Sequence, residues 1–235
     1  MVSLPGVSRL TAGRLSPEMV YRIFWFTLGP LIRMYWWVRP HDRHNVPRDR
    51  SVILACNHQA AIDPVLVCMS FWRQVRWLAK IELVKSARIA WFFRGAGVIP
   101  VDRAAPQEES SEKAARVLKE GKIFGIFPEG TRSPDGRVYK GYTGVARVAQ
   151  RSGAPVVPTA IVGAAKAHKK GSRLAKPSKI DVIFGTPMYF EIRPGEDEHA
   201  AYRRFTDEVL DEVARLIGAE RVPDRYSREP ARKSG

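Results

Sequence analysis

Short apolar runs alternate with amphipathic stretches along most of this chain. Residues 51–56 hold the run Val52-Ile53-Leu54-Ala55-Cys56, which predicts a strand buried on both faces. Asp63-Pro64 then opens an apolar helix from Pro64 to about Trp72, with proline suited to its first turn. A strand is expected over Val75–Ala79, ending at Lys80, and a helical stretch over 81–93. Gly95-Ala96-Gly97 breaks that pattern before Val98-Ile99-Pro100-Val101. Residues 106–121 read as a surface helix with Ala114, Ala115, Val117 and Leu118 inward, closed by Gly121. Ile123–Phe127 is a further buried strand, followed by the turn Pro128-Glu129-Gly130-Thr131-Arg132-Ser133. A short helix at about 143–152 ends at Gly153, strands follow at 156–161 and 179–184, and 198–217 is an amphipathic helix. From Arg221 the chain reads as a polar, mobile tail.

Strands alternating with helices predict an α/β fold, a single domain with a mixed, largely parallel central sheet flanked by helices. In such sheets ligands gather at the carboxyl ends of strands. The turns carrying His58, Lys80, Arg103 and Glu129 to Arg132 all follow predicted strands. They can therefore converge on one rim.

The N-terminal pattern is different. From Pro17 to Arg39 large apolar and aromatic residues crowd together, yet the uninterrupted run between Arg22 and Arg33 is only ten residues, about half of what a spanning helix needs. Gly29-Pro30 would kink or break a helix there. The reading is one or two amphipathic interfacial helices that anchor the protein to a membrane, with Trp and Tyr at the water boundary. Core-packing helices are the alternative. Residues 40–50 are polar and punctuated by proline, hence a connector. This divides the chain into an N-terminal interfacial segment over 1–45, a domain over 46–220 and a polar tail over 221–235.

Charge narrows the partners. The net charge of +15 favours nucleic acid, anionic lipid or an acidic protein. The basic residues are dispersed, and no zinc pattern or RNA-binding signature accompanies them, which argues against nucleic acid. The stretch from Lys166 to Lys179 contains no acidic residue; it is either a solvated loop or a surface that meets anionic headgroups or an acidic carrier protein. Cys56 and Cys68 both lie in apolar runs, as reduced buried thiols do. The N-terminus lacks the pattern of a cleavable signal.

The candidate chemistry centres on His58 and Asp63. A carboxylate can hold one imidazole nitrogen as N–H and leave the other free to take a proton. Arg103, Arg132 and Lys80 are cations placed after strands, and Gly130-Thr131 opens a turn whose N–H groups can meet an anion. No serine or cysteine nucleophile has support of its own, so the nucleophile falls to the substrate: a hydroxyl on a phosphorylated molecule. A metal site is disfavoured, because His58 and Asp63 have no third ligand at useful spacing.

Four ordered blocks resemble the glycerolipid acyltransferases, the 1-acylglycerol-3-phosphate O-acyltransferase group. Asn57-His58-Gln59-Ala60-Ala61-Ile62-Asp63-Pro64 is similar to the family's NHxxxxD block. Gly97 to Arg103, with Lys80 upstream, resembles the second, Phe127 to Ser133 the third and Gly153 to Ile161 the fourth. Gln59 departs from the family's usual serine. The resemblance implies transfer of a fatty acyl group from an acyl thioester, acyl-CoA or acyl carrier protein, to a glycerol hydroxyl, with phosphatidic acid as the product from 1-acylglycerol 3-phosphate. Glycerol 3-phosphate, a lysophospholipid or a glycolipid are the alternative acceptors. His58 would be the general base and Asp63 its orienter. Arg103, Glu129, Gly130, Thr131 and Arg132 would bind the acceptor phosphate, assisted by Lys80. It further implies lipid substrates, an anionic membrane surface as partner, an acyl-chain tunnel, no cofactor, and a peripheral position on the cytoplasmic face of the membrane.

Overall fold

A computed structural model describes residues 16–71, 73–80, 97–101, 107–168 and 176–227. The expected helix over 81–93, Arg103, and residues 169–175 of the basic stretch lie outside the described residues.

Two short helices come first, α1 (Pro17–Thr27) and α2 (Gly29–Tyr35), separated at Leu28. The strands β1 (Val38–His41), β2 (Val52–Cys56), β3 (Val75–Lys80), β4 (Val98–Val101), β5 (Ile123–Ile126), β7 (Val156–Val162) and β8 (Ile180–Phe184) form one sheet. The order across the sheet is β1-β8-β7-β2-β5-β3-β4. The run from β7 to β4 is parallel; β8 is antiparallel to β7, and β1 is parallel to β8. The sheet is therefore mixed and largely parallel. The remaining helices are α3 (Asp63–Cys68), α4 (Gln107–Lys119), α5 (Gly144–Ser152), α6 (Ala164–Ala167) and α7 (Glu198–Ile217). A separate two-stranded sheet pairs β6 (Val138–Tyr139) with β9 (Arg221–Val222).

Strand β2 is buried at every residue, because its alternate side chains enter two cores. Leu54 and Cys56 join a core with Val157, Ile161, Trp77 and α3. Ile53 and Ala55 join the opposite core, built with α4, α5 and α7 through Leu118, Val145, Phe205 and Val209. A strand covered on both faces reads as a continuous apolar run, as residues 52–56 do.

Three expectations change. The connector over 40–50 begins with a strand, and β1 belongs to the sheet rather than to an N-terminal segment ending at 45. Pro40 is admissible there because β1 is an edge strand, where a missing N–H leaves no ladder partner wanting. The helix expected to reach Trp72 stops at Cys68, with the Ser70 amide already bonded to the Val67 carbonyl. The tail expected from Arg221 is docked at its start: Arg221 pairs with Asp207 at 2.9 Å and Asp211 at 3.0 Å on α7. Its strand partners, Val138 and Tyr139 of β6, are distant in sequence and invisible to a local pattern.

The N-terminal helices pack one face on the core, as the alternative reading of their sequence expects. Tyr21 is buried and donates its hydroxyl to the Cys68 carbonyl at 3.1 Å, and Phe24, Trp25, Ile32 and Trp36 pack on the core. The other face stays open, with Met34 75% exposed, Trp37 70% and Phe26 68%. Among the described residues no helix is long and apolar enough to cross a membrane.

Candidate active site

The end of β2 is tied down by Asn57. Ladder pairing with β7 runs to Cys56↔Thr159. One residue further, the Asn57 side chain acts as a substitute peptide group. Its Nδ2 donates to the Ile161 carbonyl at 3.0 Å, and its Oδ1 accepts from the Ile161 amide at 2.7 Å. The carbonyl of His58 is held from the other side by the Ser133 amide at 2.7 Å. The backbone that presents the imidazole is therefore clamped between strand β7 and the turn after β5.

Asp63 is fully buried at the start of α3. Its Oδ2 accepts from the backbone amides of Gln59 at 2.7 Å and Ala60 at 2.8 Å, and lies 2.8 Å from His58 Nδ1. An oxygen already receiving two N–H groups is an acceptor toward the ring as well, so Nδ1 carries the proton and Nε2 keeps its lone pair. Among the described residues Nε2 has no hydrogen-bond partner. Cys56 is no rival nucleophile: burial first, and the neighbouring Asp63 charge second, push its thiol well above the ordinary value.

Two rings position the imidazole face. His58 stacks on Phe127 at 4.1 Å and 20°, and Phe127 stacks on Trp77 at 4.9 Å and 18°. Trp77 lies flat over Gly125, where a Cβ would come within 2.5 Å of the indole. Glycine in a strand otherwise made of Ile and Phe is there for that close approach.

The turn after β5 lies beside His58. Gly130 takes the left-handed conformation at φ +68°, and its amide donates to the Phe127 carbonyl at 3.0 Å. Arg132 is half-buried and lines a cleft of ≈ 500 Å³ together with His58, Ala61, Trp77, Phe127 and Gly130. Among the described residues its guanidinium has no carboxylate partner. A second apolar cleft of ≈ 470 Å³ adjoins it across Phe127 and Gly130. Thr131 is half-buried in the same turn.

Glu129 sits differently. Its side chain is buried, does not line the cleft, and accepts the Tyr139 amide at 3.0 Å. Burial pushes its carboxyl up to about 7, with the Tyr139 amide opposing the rise. Lys80 is the last residue of β3 and Val101, two residues before Arg103, the last of β4. Strands β2, β5, β3 and β4 are successive neighbours, so their ends span three strand spacings, about 14 Å. Sequence reasoning had no hold on Asn57 as a clamp or on Trp77 as a ring support. A glycine inside the apolar β5 run was the available signal for the latter.

The family model described as "Acyltransferase" matches residues 38–162. A 1-acyl-sn-glycerol-3-phosphate acyltransferase of Bacillus subtilis is 31% identical over 180 residues, covering 75% of this chain and 87% of that protein. A chloroplastic 1-acyl-sn-glycerol-3-phosphate acyltransferase of Brassica napus is 30% identical over 149 residues, and the match spans 43% of that longer protein. The crystal structure of PlsC, the 1-acyl-sn-glycerophosphate acyltransferase of Thermotoga maritima, superposes with a TM-score of 0.66 at 26% identity, covering 85% of this chain and 81% of that one. The family match begins at the first residue of β1, the edge strand, and ends at the last residue of β7, enclosing the His58–Asp63 pair and the Glu129–Arg132 turn. This chain belongs to the acyltransferase family.

Proposed function

We propose that the protein transfers a fatty acyl group from an acyl thioester to the free hydroxyl of 1-acylglycerol 3-phosphate, forming phosphatidic acid. The observation that carries this reading is the shared cleft of His58 and Arg132: a base with a free Nε2 beside a guanidinium without a carboxylate partner among the described residues. Arg132 supplies a planar fork matched to phosphate, and the Thr131 amide of the same turn supports it, the Gly130 amide being spent on the Phe127 carbonyl. Lys80 and Arg103 follow the neighbouring strands and complete the phosphate grip. Glu129 acts from beneath by holding the turn to Tyr139.

In the reaction, His58 Nε2 takes the proton of the glycerol hydroxyl as its oxygen attacks the thioester carbonyl. Asp63 stabilises the imidazolium that forms. The tetrahedral intermediate collapses with cleavage of the C–S bond, and the imidazolium returns its proton to the departing thiolate. Acyl-CoA and acyl carrier protein both fit this chemistry, and no cofactor enters it. The apolar walls of the two clefts suit acyl chains. The open apolar face of α1 and α2 suits peripheral attachment to the cytoplasmic, anionic face of a membrane.

The test is an acceptor panel with one labelled acyl-CoA and identification of the product. Lysophosphatidate is expected to be acylated in preference to its phosphate-free monoacylglycerol counterpart, and Arg132→Ala should abolish that preference. Equal use of both acceptors by the native enzyme would reject the phosphate role of Arg132.

A further inference from the structure

Residues 221–227 lie against the back of the Glu129–Arg132 turn, and the contacts form a continuous chain. Strand β9 pairs in parallel with β6, as Val138↔Arg221 and Tyr139↔Val222. Beyond it the Lys140 amide donates to the Arg225 carbonyl at 3.1 Å. Tyr226 then stacks on Tyr142, with ring centroids 4.9 Å apart and planes at 22°. Tyr142 donates its amide to the Pro128 carbonyl at 2.8 Å, and its ring lies where a Cβ on Gly130 would meet it at 3.0 Å. Ser227 Oγ donates to the carbonyl of Arg132 itself at 3.2 Å.

We infer that this C-terminal segment is a brace that sets the position of the Gly130–Arg132 turn, and that Tyr226 is a positioning residue for acceptor binding. The inference rests on the proposed role of Arg132 in holding the acceptor phosphate. Its physical basis is the conformation of the turn. Gly130 stands in the left-handed region, and glycine there leaves the backbone free to take other conformations. Local hydrogen bonds alone do not select one arrangement. The Tyr142 ring closes the space above Gly130, and the Tyr226 ring backs Tyr142. The Ser227 bond falls on the carbonyl of the peptide whose Ser133 amide holds the His58 carbonyl. Tyr142 and Tyr226 make no hydrogen bond to His58 or Asp63 among the described residues. Loss of the Tyr226 stack therefore acts on acceptor affinity and leaves proton transfer alone.

The test compares Tyr226→Ala, Tyr226→Phe, Ser227→Ala and Arg132→Ala in the full chain, with lysophosphatidate and acyl-CoA as substrates. Loss of one aromatic stack corresponds to roughly a three- to tenfold rise in KM for lysophosphatidate. Tyr226→Ala should show that rise with kcat and the acyl-CoA KM unchanged, Tyr226→Phe should restore the native value, and Ser227→Ala should give a smaller rise. A fall in kcat in Tyr226→Ala without a change in acceptor KM would overturn the brace. So would a native acceptor KM in Tyr226→Ala while Arg132→Ala raises it. If Arg132→Ala itself leaves the acceptor KM unchanged, the phosphate reading fails first and the brace falls with it.

Discussion

His58 Nδ1 lies 2.8 Å from Asp63 Oδ2, and that one oxygen also gathers the amides of Gln59 and Ala60. Asp63 thus does two things at once. It orients the His58 ring, and it folds the turn that carries that ring.

That double role separates two variants. His58→Ala removes the proton acceptor and should cut acyl transfer by about 10²–10⁴, with little change in urea unfolding. Asp63→Asn puts an amide where three donors converge, so it should lose activity and also about 1–3 kcal/mol of stability. Rate assays run beside denaturant titrations distinguish them; a fully stable, inactive Asp63→Asn would assign Asp63 to the ring alone.

Gly125→Ala tests the ring stack. The new Cβ would meet the Trp77 indole at 2.5 Å, so the ring must shift, and Phe127 and His58 are stacked in series upon it. Overpacking of this kind costs about 1–3 kcal/mol. The expected result is a lowered kcat together with a lowered Tm, and a Trp77→Leu replacement in the Gly125→Ala background should recover part of the stability. Native kcat in Gly125→Ala would show that the imidazole is not positioned through the stack.

Glu129 predicts a pH dependence. Its carboxyl stands at about 7 in the folded protein against the usual 4.5, with burial the main cause. A raised folded-state value means that the proton is bound more tightly in the folded chain, so the contribution is full below about 4.5 and is lost as pH rises through 7. Glu129→Gln keeps an oxygen for the Tyr139 amide and has no proton to lose. Between pH 4.5 and 7 the variant should therefore gain on the native protein by on the order of 3 kcal/mol of unfolding free energy. Parallel stability–pH curves for the two proteins would exclude this.

The open face of α1 and α2 predicts membrane affinity. Phe26, Met34 and Trp37 are 68%, 75% and 70% exposed, while the opposite face holds the core. Replacing all three with serine should lower partitioning into anionic vesicles by about a hundredfold or more, with the melting temperature retained. Undiminished vesicle binding would assign the attachment to another surface.

What was legible in the sequence is what the chain settles within a few residues of itself. The run Val52–Cys56 had to be a doubly covered strand because no position in it tolerates water. His58 and Asp63 are five residues apart across one strand-to-helix turn, so their pairing needed no distant partner. The helix Glu198–Ile217 follows from its own periodicity, the Asp197 cap and Gly218 at its end.

Tertiary structure decided whatever depends on which strands become neighbours. The order β7-β2-β5-β3-β4 brings Arg132 beside His58, and no local pattern encodes that order. The Asn57–Ile161 clamp joins residues 104 apart, and the Ser227–Arg132 bond joins residues 95 apart. A polar tail and a Pro-bearing connector look alike in sequence whether they are solvated or docked. The free energy that docks them comes from partners far along the chain: strand β6 for β9, and strand β8 for β1. Sequence therefore determined the pairing of His58 with Asp63, while the fold alone determined what surrounds the pair, because long-range contacts form only once the sheet has chosen its order.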